Sequence, residues 1–170
     1  MNDAQRLWWR QSQSDHAIFD LLRGPKVGAH ECHLLHYLQM ATEKLGKAYL
    51  WRSGHAPPKG HTGFVRFLRA LLDRGPAELD FISLELGFKH RNDLDNWVRS
   101  VQPLAYAVQN IAPAEAQNGP NPEYPWPHEA PTHCPIGHSF PLWDRLCNTG
   151  QGRKLLVFIS KAIERFDHFA

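Results

Sequence analysis

Ala29-His30-Glu31-Cys32-His33-Leu34-Leu35-His36, running on to Glu43-Lys44-Leu45-Gly46-Lys47-Ala48-Tyr49-Leu50-Trp51, is the stretch that decides the fold. Leu34, Leu38, Ala41, Leu45 and Ala48 recur at i, i+4, i+7, i+11 and i+14, which is one seam of a long amphipathic helix. His36, Gln39, Glu43 and Lys47 form a polar stripe beside it. Glu43 precedes Lys47 by four residues, the favourable order for a helical ion pair. The spacing predicts a helix from about 29 to 52, with Ser53-Gly54 and Pro57-Pro58 ending it.

The same helical period continues on both sides. Residues 3–23 carry Leu7, Gln11, Ile18, Leu21 and Leu22, with Trp8 and Phe19, as a helical but imperfect apolar face, and Gly24-Pro25 closes that helix. A third helix is expected over 61–74, with Phe64, Phe67, Leu68 and Leu71 inside and Gly75 as a left-handed cap. Pro76 opens a short fourth helix that Gly87 ends. Asn92 is expected to cap a fifth, which Pro103 should kink and Pro113 end. Seven of the thirteen prolines then fall between Asn118 and Pro141, which excludes helix and predicts an extended path. Tyr124, Trp126, Ile136 and Phe140 are expected to dock it on the bundle. A short helix over 141–147, a Gly150-Gln151-Gly152 break and a last helix through Leu155, Phe158, Ile159, Ala162, Ile163, Phe166 and Phe169 complete the chain. No strand pattern appears. The expected fold is all-α: an up-and-down antiparallel bundle of four to five long helices (1–116), a Pro-rich ordered wrap (117–141) and C-terminal helices on the same domain (142–170).

Composition narrows the class. The chain has 170 residues, 42% of them hydrophobic, enough for a core with six Trp and nine Phe as anchors. A formal charge of +2 argues against coating nucleic acid by bulk charge. Cys32, Cys134 and Cys147 are odd in number and widely spaced, which reads as reduced thiols in a cytoplasmic protein. The N-terminal residues show no signal-peptide pattern, and no apolar run is long enough for a membrane span.

Four groups of residues invite chemistry. His30, Glu31, Cys32, His33 and His36 could share a metal pairwise, but the run misses HExxH by one place and its histidines drift around the helix. His133, Cys134 and His138, with His128 upstream, form a second metal candidate in the Pro-rich loop. Lys89, His90, Arg91 and Asn92 stand before a helix N-terminus, where the first reading is a solvated loop with a capping Asn and the second an anion site. Glu43, Lys44 and Lys47 read as surface ion pairs, or with His61 as the lining of a groove. No G-x-S-x-G elbow supports Ser-His-Asp chemistry, and no phosphate loop or cofactor fingerprint is present.

Three motifs in order carry a family resemblance. Trp9-Arg10-Gln11-Ser12-Gln13-Ser14-Asp15-His16, Gln39-Met40-Ala41-Thr42-Glu43-Lys44-Leu45-Gly46-Lys47-Ala48 and Lys59-Gly60-His61-Thr62 resemble the first three helices of HEPN-superfamily domains. The resemblance covers about 5–112 and implies a helical bundle, usually a homodimer. It also implies either a metal-independent ribonuclease or a binding subunit, in prokaryotic toxin–antitoxin or defence settings. The family's ribonucleases carry Arg, four to six residues, then His on a late helix, where Arg holds phosphate and His moves protons. The chain is read as lacking that pair. Arg52 stands too far before His61, Arg91 is followed at that distance by Asn96, Trp97 and Val98, and Arg165 stands too close to His168.

The expectation is therefore a non-catalytic HEPN-like binding or accessory protein without a cofactor, homodimeric, with a nucleotidyltransferase or other protein as partner. One alternative is a divergent ribonuclease in which His61, Lys47, His90 and Arg91 converge across a dimer on RNA. Another is a small metal-binding protein using the His/Cys clusters.

Overall fold

A computed structural model describes residues 1–53, 56, 63–111 and 118–170. Among these residues the chain is all-α, with helices α1 (Asp3–Arg23), α2 (Glu31–Leu50), α3 (Gly63–Ala70), α4 (Pro76–Glu85), α5 (Arg91–Gln109), α6 (Pro141–Asn148), α7 (Gly150–Glu164) and α8 (Phe166–Phe169). Short 3-10 turns extend α2 over Trp51–Ser53 and α3 over Leu71–Asp73. No strand occurs among the described residues; Trp126 and His133 form an isolated antiparallel bridge.

The helix starts follow local chemistry. Asn2 caps α1 reciprocally with Gln5: its Oδ1 accepts from Gln5 N at 2.9 Å, and its own N–H donates to Gln5 Oε1 at 3.0 Å. Thr149 caps α7, its Oγ1 accepting from Gly152 N at 3.0 Å. Gly150-Gln151-Gly152 is thus the first turn of α7 rather than a break. Gly152 is required there by packing, because a Cβ would lie 2.2 Å from Arg145 O and 2.6 Å from Leu146 Cα. Gly87 ends α4 in the left-handed region, at φ +69°. Gly75 does not: its φ is −63° and ψ 158°, and it serves as the N-cap of α4. The cap of α5 is His90, not Asn92, with Asp93 accepting from His90 N at 3.2 Å. Pro103 sits exposed inside α5, which continues past it to Gln109. Its missing hydrogen bond falls on the wet face, so the helix need not break there.

The seam read from α2 is the core. Leu34, Leu38, Ala41, Leu45 and Ala48 are all buried. Phe158 of α7 is the hub opposite them. Its ring meets Phe64 and Phe67 of α3, Trp97 of α5 and Phe169 of α8, with centroids 5.7–6.4 Å apart. Burying one such ring contributes about 2–3 kcal/mol. Gly46 and Gly63 let α2 and α3 touch backbone to backbone; a Cβ on Gly46 would lie 2.4 Å from Gly63 C.

The last helix is not continuous. Arg165, at φ −121° and ψ 44°, separates α7 from α8, and both Phe166 and Phe169 still reach the interior. Arg74 Nη2 fixes this end by donating to Phe169 O at 2.9 Å. The Pro-rich segment docks only in part. Trp126 and Phe140 are buried, whereas Tyr124 (62%) and Ile136 (56%) remain exposed. Two residues at the start of α2 hold the segment down. Glu31 Oε2 accepts from Phe140 N at 2.7 Å, and His36 Nδ1 lies 2.9 Å from Glu123 Oε1.

Candidate functional site: a cleft between two helices

Among the described residues, those singled out from sequence do not gather in one place. Lys47 pairs with Glu43 and lies over the Trp8 ring at 4.9 Å. Lys44 pairs across the helix contact with Asp15 of α1 at 3.2 Å. Gln39 Nε2 donates to Gln109 O, and Gln109 Oε1 in turn accepts from Val65 N. The Gln39–Ala48 segment therefore joins α2 to α1, α3 and α5. Arg91 is held in a two-point contact by Asp80 on the surface, which raises the arginine pKa and lowers the carboxyl pKa. Lys89, His90 and Asn92 are exposed beside it. His61 lies outside the described residues.

At the second metal candidate, His133 and His138 are engaged in ring packing. Among the described residues no three His, Cys, Asp or Glu side chains are placed to hold one ion. His133 stacks on Trp126 at 5.6 Å, and His138 stands edge-on between Trp126 and Phe140 at 5.0 and 4.7 Å. Cys134 is exposed. Cys32 is buried in the core, and that burial raises its pKa, opposite to what a ligand or nucleophile requires.

A different constellation forms where α1 meets α7. Asp20 and His16 are one turn apart on α1, and His16 Nδ1 lies 3.2 Å from Asp20 Oδ2. On the other side of the ring, His16 Nε2 lies 3.1 Å from Ser160 Oγ of α7. An ionised carboxylate only accepts, so Nδ1 carries the proton and Nε2 is left to accept from the Ser160 hydroxyl. His16 is 7% exposed. Its pKa is lowered chiefly by burial, with Arg23 adding to the effect and Asp20 and Glu164 opposing it. Burial therefore favours the neutral imidazole. Trp9 Nε1 completes the contact, donating at 2.7 Å to Ile163 O, one of the free carbonyls at the end of α7.

Ser160 opens on a cleft of about 310 Å³ lined by Arg23, Arg153, Leu156, Val157, Ser160 and Lys161. A second hollow of about 350 Å³ continues it along α7, sharing Arg153 and Val157 and adding Leu86, Gly150 and Lys154. Lys161 pairs with Glu85 at 3.4 Å. Arg23 lies over the Phe19 ring at 5.6 Å, and Arg153 Nη1 donates to Cys147 O at 3.3 Å. Among the described residues neither arginine is paired with a carboxylate. The cleft thus combines aliphatic walls, two available guanidinium groups and a hydroxyl bonded to a neutral imidazole.

Sequence reasoning missed this site. Its one local signal was His16 and Asp20 at i, i+4 within α1. Contrary to the reading that the chain lacks the Arg–His signature spacing, that spacing does occur, as Arg10 to His16 and as Arg23 to His30. Six residues along a helix leave side chains about 120° apart. Arg10 is exposed while His16 is buried, so they share no site; His30 lies beyond α1, as the cap of α2.

No family model, no curated protein and no solved structure matches the chain. Among the described residues, no helix is long and apolar enough to cross a membrane. What the geometry itself defines is an all-α protein with a cationic, aliphatic-walled cleft between its first and seventh helices.

Proposed function

We propose that the protein is a binding module whose ligand is a small molecule with an apolar body and one anionic head, received between α1 and α7. One observation carries this reading: Arg23 and Arg153 face a cleft walled by Leu156 and Val157, with neither guanidinium paired to a carboxylate among the described residues. Guanidinium groups recognise carboxylate and phosphate oxygens by charge-assisted hydrogen bonds. Aliphatic walls supply area for the remainder of the ligand.

A binding role also fits the HEPN-like accessory reading, in which the helices form an up-and-down bundle. Lys47 and Arg91, the cations that a ribonuclease reading would use, already face Glu43 and Asp80. That favours binding over cleavage of RNA.

Titration calorimetry tests the proposal with two probes, octanoate for a carboxylate head and phenyl phosphate for a phosphate head. Saturable one-to-one binding of at least one probe is expected. The Arg23→Gln/Arg153→Gln double variant should weaken it by at least about 10-fold, since charged hydrogen bonds contribute about 1.5–3 kcal/mol each before solvent screening. Binding that the double variant leaves unchanged would remove the cleft from consideration.

A further inference from the structure

We propose that Ser160 is a nucleophile and His16 its base, together cleaving a small carboxylic ester that carries a second, anionic group. This rests on the cleft reading above and assigns that site a reaction. Three features support it. Ser160 lines the cleft and is bonded to His16 Nε2 at 3.1 Å. The ring's other nitrogen is fixed by Asp20 at 3.2 Å, which sets the tautomer needed to accept the hydroxyl proton. The burial of His16 keeps it unprotonated and hence able to act as a base.

The remaining requirement is a positive group where the oxyanion develops. Backbone donors are not available from the middle of α7, because those N–H groups bond within the helix. Arg23 can meet that need. It lines the same cleft, and its charge is felt at His16. Arg153, further along α7, is then left for the substrate's own anion.

The reaction balances without a metal or redox partner. Ser160 Oγ attacks the ester carbonyl while its proton passes to His16 Nε2. The carbonyl π pair moves to oxygen, facing Arg23. When the tetrahedral adduct collapses, the bond to the alcohol oxygen breaks and His16 returns the proton to it. A water molecule, deprotonated by His16, then attacks the Ser160 ester. Its collapse releases the acid and restores the serine hydroxyl. The net change is ester plus water to acid plus alcohol. Ser160 and His16 are catalytic residues in this scheme, and Asp20 is a positioning residue.

The test uses the full chain with diisopropyl fluorophosphate, read by intact mass and peptide mapping, and with mono-p-nitrophenyl succinate and p-nitrophenyl acetate as substrates. One adduct on Ser160 is expected, together with faster turnover of the succinate ester. Ser160→Ala should abolish the adduct and reduce turnover to background. His16→Gln, checked for folding by circular dichroism, should slow labelling by about 100-fold or more. Asp20→Asn should lower kcat with KM unchanged and alter the pH profile. Arg153→Gln should raise KM for the succinate ester and leave the acetate ester unaffected. Labelling only at other residues, or turnover that Ser160→Ala does not change, overturns the proposal. If Ser160 is inert while octanoate or phenyl phosphate binding still depends on Arg23 and Arg153, the hydrolysis falls and the binding reading stands. If Ser160 reacts while probe binding ignores both arginines, the binding reading falls instead.

Discussion

Helix α1 presents polar groups to two neighbours, and the two contacts end differently. Toward α2, Ser12 Oγ donates to Ala41 O at 2.8 Å, Asp15 pairs with Lys44, and Gln11 Nε2 donates to Asp15 Oδ1 at 3.1 Å. These groups are engaged within the contact, although Asp15 Oδ2 takes no hydrogen bond and is held only by the Lys44 charge. Toward α7, one turn further on, His16, Asp20 and Ser160 form a chain of hydrogen bonds that ends at a cleft. Arg23 joins that cleft without a carboxylate partner among the described residues. Similar residue types therefore serve cohesion on one face and leave chemistry available on the other. The difference lies in whether the neighbouring helix brings a complement.

Four substitutions or conditions would break or sharpen this contrast. The largest effect is expected from Gly152→Ala, because a Cβ there meets the α6 backbone at 2.2 Å and must push α7 away. Chemical denaturation should show a loss of about 3 kcal/mol or more, with probe binding lost as Arg153 and Leu156 move. Next comes Asp15→Ala on the closed face. It leaves the Lys44 ammonium, whose side chain is only 16% exposed, without its carboxylate. A loss of about 2 kcal/mol is expected, with probe binding intact.

Ser160→Ala, on the open face, removes a single bond beside a cleft. Stability should change by less than about 1 kcal/mol in the same chemical denaturation, while labelling by diisopropyl fluorophosphate disappears. The smallest effect is on pH dependence. Folded His16 has a lowered pKa, so below the ordinary histidine value of about 6.5 the unfolded chain binds protons that the folded chain refuses. Its contribution is present above that value and is lost as pH falls toward the lower folded pKa. Asp20, Glu164, Arg23 and Ser160 are the groups that set the balance around the ring. Urea midpoints should fall from pH 7.5 to 5.5, and less steeply in His16→Gln.

The all-α class was legible because burial imposes a period. The α2 seam, the stop at Gly87 and the core positions of α3, α5 and α7 all follow from apolar spacing and turn chemistry. Features set by tertiary contact were not legible. Gly152 reads as a helix breaker until α6 is seen against it, and the bend at Arg165 has no apolar or proline signal. The histidine-rich start of α2 looked like chemistry because its residues are near in sequence. In the fold Cys32 turns inward, while Glu31 and His36 fasten the Pro-rich segment. The cleft was hidden for the converse reason: Ser160 and His16 are 144 residues apart, and no local pattern links them.

The claim that the α1–α7 cleft is the functional site is tested most directly by mapping backbone amide shifts while octanoate is titrated into the isotope-labelled protein. The account predicts that the largest shifts fall on Arg23, Arg153, Leu156, Val157, Ser160 and Lys161. Shifts centred instead on 89–92 or 132–138, or spread without a focus, would contradict it.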